Sequence, residues 1–88
     1  MADVFNEHLR ADVCDENGVF IGKAKAEGRF GDERILLFVD HDIMERLGPS
    51  LIVTVENDVY GLITYQAEML EFSESDDFWH PYEVIIKV

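Results

Sequence analysis

The chain has 88 residues, with 19 Asp and Glu against 7 Lys and Arg, so its formal net charge at pH 7 is -12. This length allows a single domain (residues 1–88) with one modest core. The negative charge disfavours direct binding to nucleic acid or to an anionic lipid surface, because phosphate groups would be repelled.

The composition indicates a folded chain outside the membrane. Leu, Ile, Val and Phe together supply 29 of the 88 residues, more than an acidic disordered chain contains. The longest fully apolar run is Ile35–Val39, far short of the roughly 20 residues that a membrane helix needs. Cys14 is the single cysteine and the first residues lack a secretory pattern, so we expect a cytoplasmic protein.

Alternation of apolar and polar residues predicts two opening strands joined by a hairpin. Leu9, Ala11 and Val13 share one face of the first strand. Asn17-Gly18 predicts the turn, because both residues tolerate positive φ. The second strand is expected to point four residues inward: Phe20, Gly22, Ala24 and Ala26.

The middle of the chain predicts a buried strand and one helical turn. Gly31-Asp32 indicates a turn, and Ile35–Val39, apolar on both faces, is expected to be the most buried strand. One short helical turn is predicted over residues 41–47, with Asp40 or Asp42 as its cap and Gly48-Pro49 as its stop signal.

Three further strands are expected in the remainder. Leu51–Glu56 alternates and is followed by a turn at Asn57-Asp58. Tyr60–Phe72 predicts a long strand, in which the apolar register slips and indicates a bulge near Met69. An acidic loop precedes the last strand, Tyr82–Val88. The sequence therefore predicts an all-β fold, a small six-stranded antiparallel barrel or sandwich.

Four segments carry a family resemblance: Arg10–Val13, Gly22–Gly28, Leu47–Val55 and Tyr60–Met69. In pattern they resemble the small split β-barrels of the PilZ type, in particular the barrel that precedes the PilZ domain in bacterial flagellar-brake regulators. PilZ domains that bind cyclic di-GMP carry Arg-x-x-x-Arg and an Asp/Asn-x-Ser-x-x-Gly element. Neither motif occurs here, so the resemblance implies a PilZ-like barrel with no nucleotide ligand and no cofactor.

Charge is segregated along the chain. No Lys or Arg occurs between Leu47 and Ile86, and outward positions on a strand recur every ~6.7 Å, which allows acidic side chains to line one surface. The candidate partner-binding residues are Glu56, Asp58, Glu68, Glu71, Glu74, Asp76, Asp77 and Trp79. Trp79 has two interpretations, a core residue or an exposed binding hot spot beside carboxylates.

No catalytic constellation emerges, and no metal site is assigned. Asp40, His41, Asp42 and Glu45 are metal-capable, but adjacent residues rarely converge on one ion, and turn and cap roles explain them more simply.

We therefore expect a non-enzymatic acidic binding or regulatory protein that docks on a protein partner with a basic surface. The alternative is a nucleic-acid mimic that inhibits a DNA- or RNA-binding enzyme, of the anti-restriction or anti-CRISPR type. A third interpretation is a degenerate cyclic-dinucleotide receptor. Solubility alone also explains the acidic surface.

Overall fold

The computed structural model describes residues 4–29, 33–57, 61–76 and 78–88, and the side chains of these residues except 4–8, 29 and 57. The predicted turn at Gly31-Asp32 lies outside the described residues, as do Asp58 of the turn at Asn57-Asp58 and Tyr60. The elements in chain order are β1 (Val4–Asp15), β2 (Phe20–Arg29), β3 (Arg34–Val39), α1 (His41–Arg46), β4 (Ser50–Asn57), β5 (Gly61–Glu74) and β6 (Tyr82–Lys87).

The strands close into one antiparallel barrel in the order β1-β2-β3-β6-β5-β4, with β4 returning to β1. This confirms the predicted all-β class, and of the two predicted architectures the barrel is the one formed. Strands β5 and β6 are neighbours along the chain, whereas β3 pairs with β6 across the α1–β4–β5 excursion. The short helix α1 falls where the sequence predicts a helical turn.

The interior is apolar and narrow. The wall formed by β1 and β2 buries small residues, among them Ala11, Ala24 and Ala26. Larger side chains fill the space from the opposite strands, and β3 is buried at four of its six positions. The prediction that β3 is the most buried strand is thus confirmed. A small barrel requires this division because its interior has little room for side chains from every strand.

Among the described pairs the register shifts at three places, one of them between Phe5 and Leu9 of β1, and the other two set which side chains face the interior. The β5–β6 register shifts between Met69 and Glu71, which confirms the bulge predicted near Met69. A second shift lies between β1 and β2, where Val13 pairs with Gly22 but Cys14 pairs with Phe20. The extra residue in β2 moves Phe20 off the inward row, and its side chain is 55% exposed. The prediction that Phe20 points inward is therefore wrong.

The β1–β2 hairpin forms as predicted, but with a longer loop than an Asn-Gly turn. The Asp15 N–H donates to the carbonyl of Val19 at 2.9 Å, and the Gly18 N–H donates to the carbonyl of Asp15 at 3.0 Å. Gly18 has φ +84, a conformation that favours glycine. These bonds define a three-residue loop with glycine at the left-handed position.

Candidate binding site at the helix end of the barrel

Three connections lie at one end of the barrel, which we call the helix end: the β1–β2 hairpin, α1, and the loop between β5 and β6. The register explains this convergence, because Val39 at the end of β3 pairs with Tyr82 at the start of β6. Asp40 directly follows the first of these residues, and Pro81 directly precedes the second. The start of α1 and the end of the β5–β6 loop are therefore adjacent in space.

Helix α1 is fixed to the barrel by one buried side chain and one cap. The Asp40 carboxylate accepts a hydrogen bond from the Ile43 N–H at 2.9 Å, which satisfies a donor at the helix start. The Ile43 side chain is 1% exposed and belongs to the core. It approaches β2 at Gly22, where a Cβ atom would lie 2.8 Å from the Ile43 Cγ1 atom. The missing side chain at this position makes room for the helix.

The helix also contacts β6 through a ring pair. The His41 and Tyr82 rings meet edge to face with centroids 5.0 Å apart. This geometry is favourable for aromatic pairs. The first turn of α1 is thereby held next to the strand that leaves the β5–β6 loop.

The β5–β6 loop presents two aromatic side chains to solvent. It is closed by a backbone hydrogen bond from the Ser75 N–H to the Pro81 carbonyl at 2.7 Å. Within it, the Phe78 and Trp79 rings pack edge to face at 5.2 Å. Phe78 is 84% exposed and Trp79 is 76% exposed. Trp79 is therefore not a core residue, and the core interpretation offered by its sequence is wrong.

An open groove of about 620 Å³ separates the start of α1 from this loop. Three carboxylates line it, those of Asp40, Asp42 and Asp76, together with Phe78 and Trp79. Carboxylates beside exposed aromatic faces can hold a cationic side chain, through charge-assisted hydrogen bonds and cation–π contact respectively. We call this surface the acidic aromatic groove.

The described candidate residues lie at three places: at the groove, farther back along β5, and at the far end of β4. Asp76 and Trp79 line the groove, and Glu74 ends β5 next to it, paired with Tyr82. Glu68 and Glu71 are exposed farther back along β5. Glu56 pairs with Leu62, six residues before Glu68, or roughly 20 Å away along the strand.

The surroundings of Glu56 differ from those of the groove. It lies in a small depression with Arg10, Asp12 and Lys23, so its neighbourhood carries both signs of charge. Asp58 and Asp77 lie outside the described residues. The structure therefore brings Glu74, Asp76 and Trp79 together and leaves Glu56 apart.

Sequence reasoning did not assign Phe78, Asp40 or Asp42 to the binding surface. In the sequence, Asp40 and Asp42 have the pattern of metal-capable or capping residues, and Phe78 has no signal beyond its position next to Trp79. What joins them is the pairing of β3 with β6, a long-range contact without a local sequence signal. Among the described residues, no group of three or more His, Cys, Asp and Glu side chains is arranged to hold a metal ion.

No helix in the described part of the chain is long and apolar enough to cross a membrane. In comparison with known proteins, no family model matches the chain, and neither a curated protein nor a solved structure is significantly similar to it.

Proposed function

We propose that this protein is a non-enzymatic binding or regulatory protein that docks, through the acidic aromatic groove, on a protein partner with a basic surface. The observation that carries the proposal is the exposure of Phe78 and Trp79 beside the carboxylates of Asp40, Asp42 and Asp76. In a small protein with a limited core, two large aromatic side chains held in solvent are typical of an interface.

The two kinds of side chain have different expected roles in docking. Aromatic residues at the centre of an interface contribute most of the affinity when they become desolvated. Carboxylates around them act mainly on the association rate and on the choice of partner, and salt weakens their effect. A segment of the partner that carries Lys or Arg fits both requirements.

The proposal includes a PilZ-like barrel that has no nucleotide ligand. The phosphates of cyclic di-GMP require clustered guanidinium groups. Arg10 has no second arginine four residues away, and Arg29 and Arg34 are five residues apart. We expect calorimetric titration with cyclic di-GMP to show no binding at or below a dissociation constant of about 1 μM, which corresponds to about 8 kcal/mol.

The test compares two charge reversals of equal size at different places. One variant carries Glu74→Lys and Asp76→Lys at the groove, and its matched control carries Glu56→Lys and Glu68→Lys away from it. Both change the net charge by the same amount at exposed positions. The partner is captured from a lysate of the source organism, identified and purified, and its binding kinetics are measured with each variant.

We expect the groove variant to slow association at least several-fold at low salt, because charges around an interface steer the encounter. The control should change it much less. Equal slowing by both variants would contradict docking at the groove. Equal slowing, together with a nucleic-acid-binding partner and displacement by DNA or RNA, would favour the nucleic-acid mimic. Unchanged association in both variants would leave the acidic surface with a role in solubility alone.

A further inference from the structure

Strand β5 shares its length between two neighbours. Its first half, residues 61–68, pairs with β4, and the pairing begins at Gly61 opposite Asn57 and ends at Glu68 opposite Ser50. Its second half, Glu68–Glu74, pairs with β6. Within the described residues, no strand pairs with the β6 side of residues 61–67. In the part of the chain that the structure describes, the first half of β5 is therefore an open sheet edge, and it lies at the end of the barrel opposite α1.

Hydrogen-bond alternation identifies the backbone groups on this edge. The Met69 N–H donates to the Pro49 carbonyl on the β4 side at 2.9 Å. In an antiparallel strand the bonding direction alternates from residue to residue, so odd-numbered positions before the bulge bond toward β4. The N–H and C=O groups of Leu62, Thr64 and Gln66 consequently point away from β4, toward the open edge.

This edge lacks the charges that normally protect an open strand. Residues 59–67 contain no charged side chain, although 30% of the chain is charged. The second half of β5 also has no β4 partner over 71–74 among the described pairs, and there Glu71 and Glu74 supply charge. Natural proteins block open edges with charged residues or proline. Residues 61–66 contain neither a charged residue nor a proline that would block pairing with another strand. Leu62 on this edge is 70% exposed.

We propose that this edge is a self-association surface, where β5 pairs antiparallel with β5 of a second copy about a twofold axis at Thr64. In that register Leu62 lies opposite Gln66 of the second copy, and Thr64 lies opposite its own equivalent. The backbone N–H and C=O groups that face the edge are then all hydrogen-bonded to the second copy. On the inner face, the partly buried Ile63 meets Tyr65 of the second copy, and a β-branched residue opposite an aromatic one is a favourable pair.

The register places no like charges opposite each other within residues 61–67, which is unusual in a chain of net charge -12. A second copy is therefore a better occupant of this edge than a basic segment, for which the edge offers no carboxylate. Overall repulsion between two acidic copies opposes the contact and is screened by salt. Because an edge contact is small, the dimer is weak and reversible, and added salt strengthens it.

Sedimentation equilibrium of the full chain at increasing protein concentration tests the proposal. We expect the average mass to rise from 10.1 kDa toward twice that value, and to rise further when salt is added. Leu62→Glu with Gln66→Glu places like charges opposite each other in both symmetry-related pairs, so this variant should remain monomeric. Its matched control, Val19→Glu with Phe20→Glu, changes the charge equally at exposed residues of the helix end and should still dimerise.

A charge-complementary variant tests the register. Leu62→Glu with Gln66→Lys keeps the net charge and places opposite charges in each pair, so it should dimerise at least as strongly as the wild type. In the wild type, amide hydrogen exchange at Leu62, Thr64 and Gln66 should slow as concentration rises. A wild-type chain that stays monomeric at millimolar concentration in high salt would overturn the proposal. So would dimerisation of the Leu62→Glu, Gln66→Glu variant at wild-type strength.

Discussion

The β1–β2 wall of the barrel interior and the β5–β6 loop differ in the size and exposure of their apolar residues. The interior wall of β1 and β2 is built from alanine and valine, whereas Phe78 and Trp79 are 84% and 76% exposed. A six-stranded barrel has no room for many large rings, but exposing them forgoes burial energy of roughly 1.5–3 kcal/mol for a Phe-sized side chain. The difference separates residues that hold the fold together from residues available for contact with a partner.

The largest expected effect lies where the helix enters the interior. Ile43→Ala removes a side chain that is 1% exposed and packs in the core. The lost contacts and the cavity should lower the free energy of unfolding by about 2–5 kcal/mol. Urea unfolding followed by circular dichroism measures this change. A loss below about 0.5 kcal/mol, typical of surface positions, would show that the Ile43 side chain does not fix the helix to the barrel.

A smaller loss is expected at the contact between the helix and β2. Gly22→Ala adds a Cβ atom 2.8 Å from Ile43 Cγ1, and this overpacking should cost about 1–3 kcal/mol in the same unfolding measurement. Gly48→Ala is the matched control, because its added Cβ meets no atom within 4 Å. In the Ile43→Ala background the Gly22→Ala cost should largely disappear. A cost that persists there would mean that the overpacking comes from another neighbour.

Asp40 belongs both to the fold and to the groove, because its carboxylate caps α1 at the buried Ile43 and also lines the groove. Asp40→Ala removes the acceptor for the Ile43 N–H, and the loss of an N-cap costs about 1 kcal/mol. Asp42→Ala serves as the control, because it removes a nearby exposed carboxylate within the first helical turn. If both variants lose the same stability in urea unfolding, the effect is one of charge and not of capping.

Tyr65 is neither fully buried nor fully exposed, because its side chain packs partly against the core. Burial raises the pKa of its phenol above the usual value of 10.0. Since the folded state favours the neutral phenol, its contribution to stability is present below pH 10 and is lost as the pH rises through the folded-state pKa. Tyr65→Phe should therefore lose less stability than the wild type when urea unfolding is repeated above pH 10. An identical loss in both proteins would contradict this assignment.

Much of the fold was predictable because its signals are local. Period-two alternation predicted five of the six strands, the apolar run Ile35–Val39 predicted β3, and the slip after Met69 predicted the β5 bulge. The β2 bulge was not predictable, since Phe20 continues the apolar alternation and moves outward only because of its register with Cys14. The β3–β6 pairing likewise depends on contacts distant in sequence.

The candidate site was predictable only in part for the same reason. Asp76 and Trp79 were predicted because they are near each other in the chain. Asp40 and Asp42 join them through strand pairing, and Glu56 is separated from them by the length of β5. Charge counting along a sequence identifies acidic segments but not which segments share a surface.

The most direct test of the account is the exposure of Trp79, the single tryptophan of the chain, before and after partner binding. Its fluorescence is measured during titration with acrylamide, a neutral quencher, in the free protein and in the purified complex. The account predicts strong quenching in the free protein and protection in the complex. Equal quenching in both states would show that the partner does not cover the groove, and protection already in the free protein would contradict the exposed aromatic site.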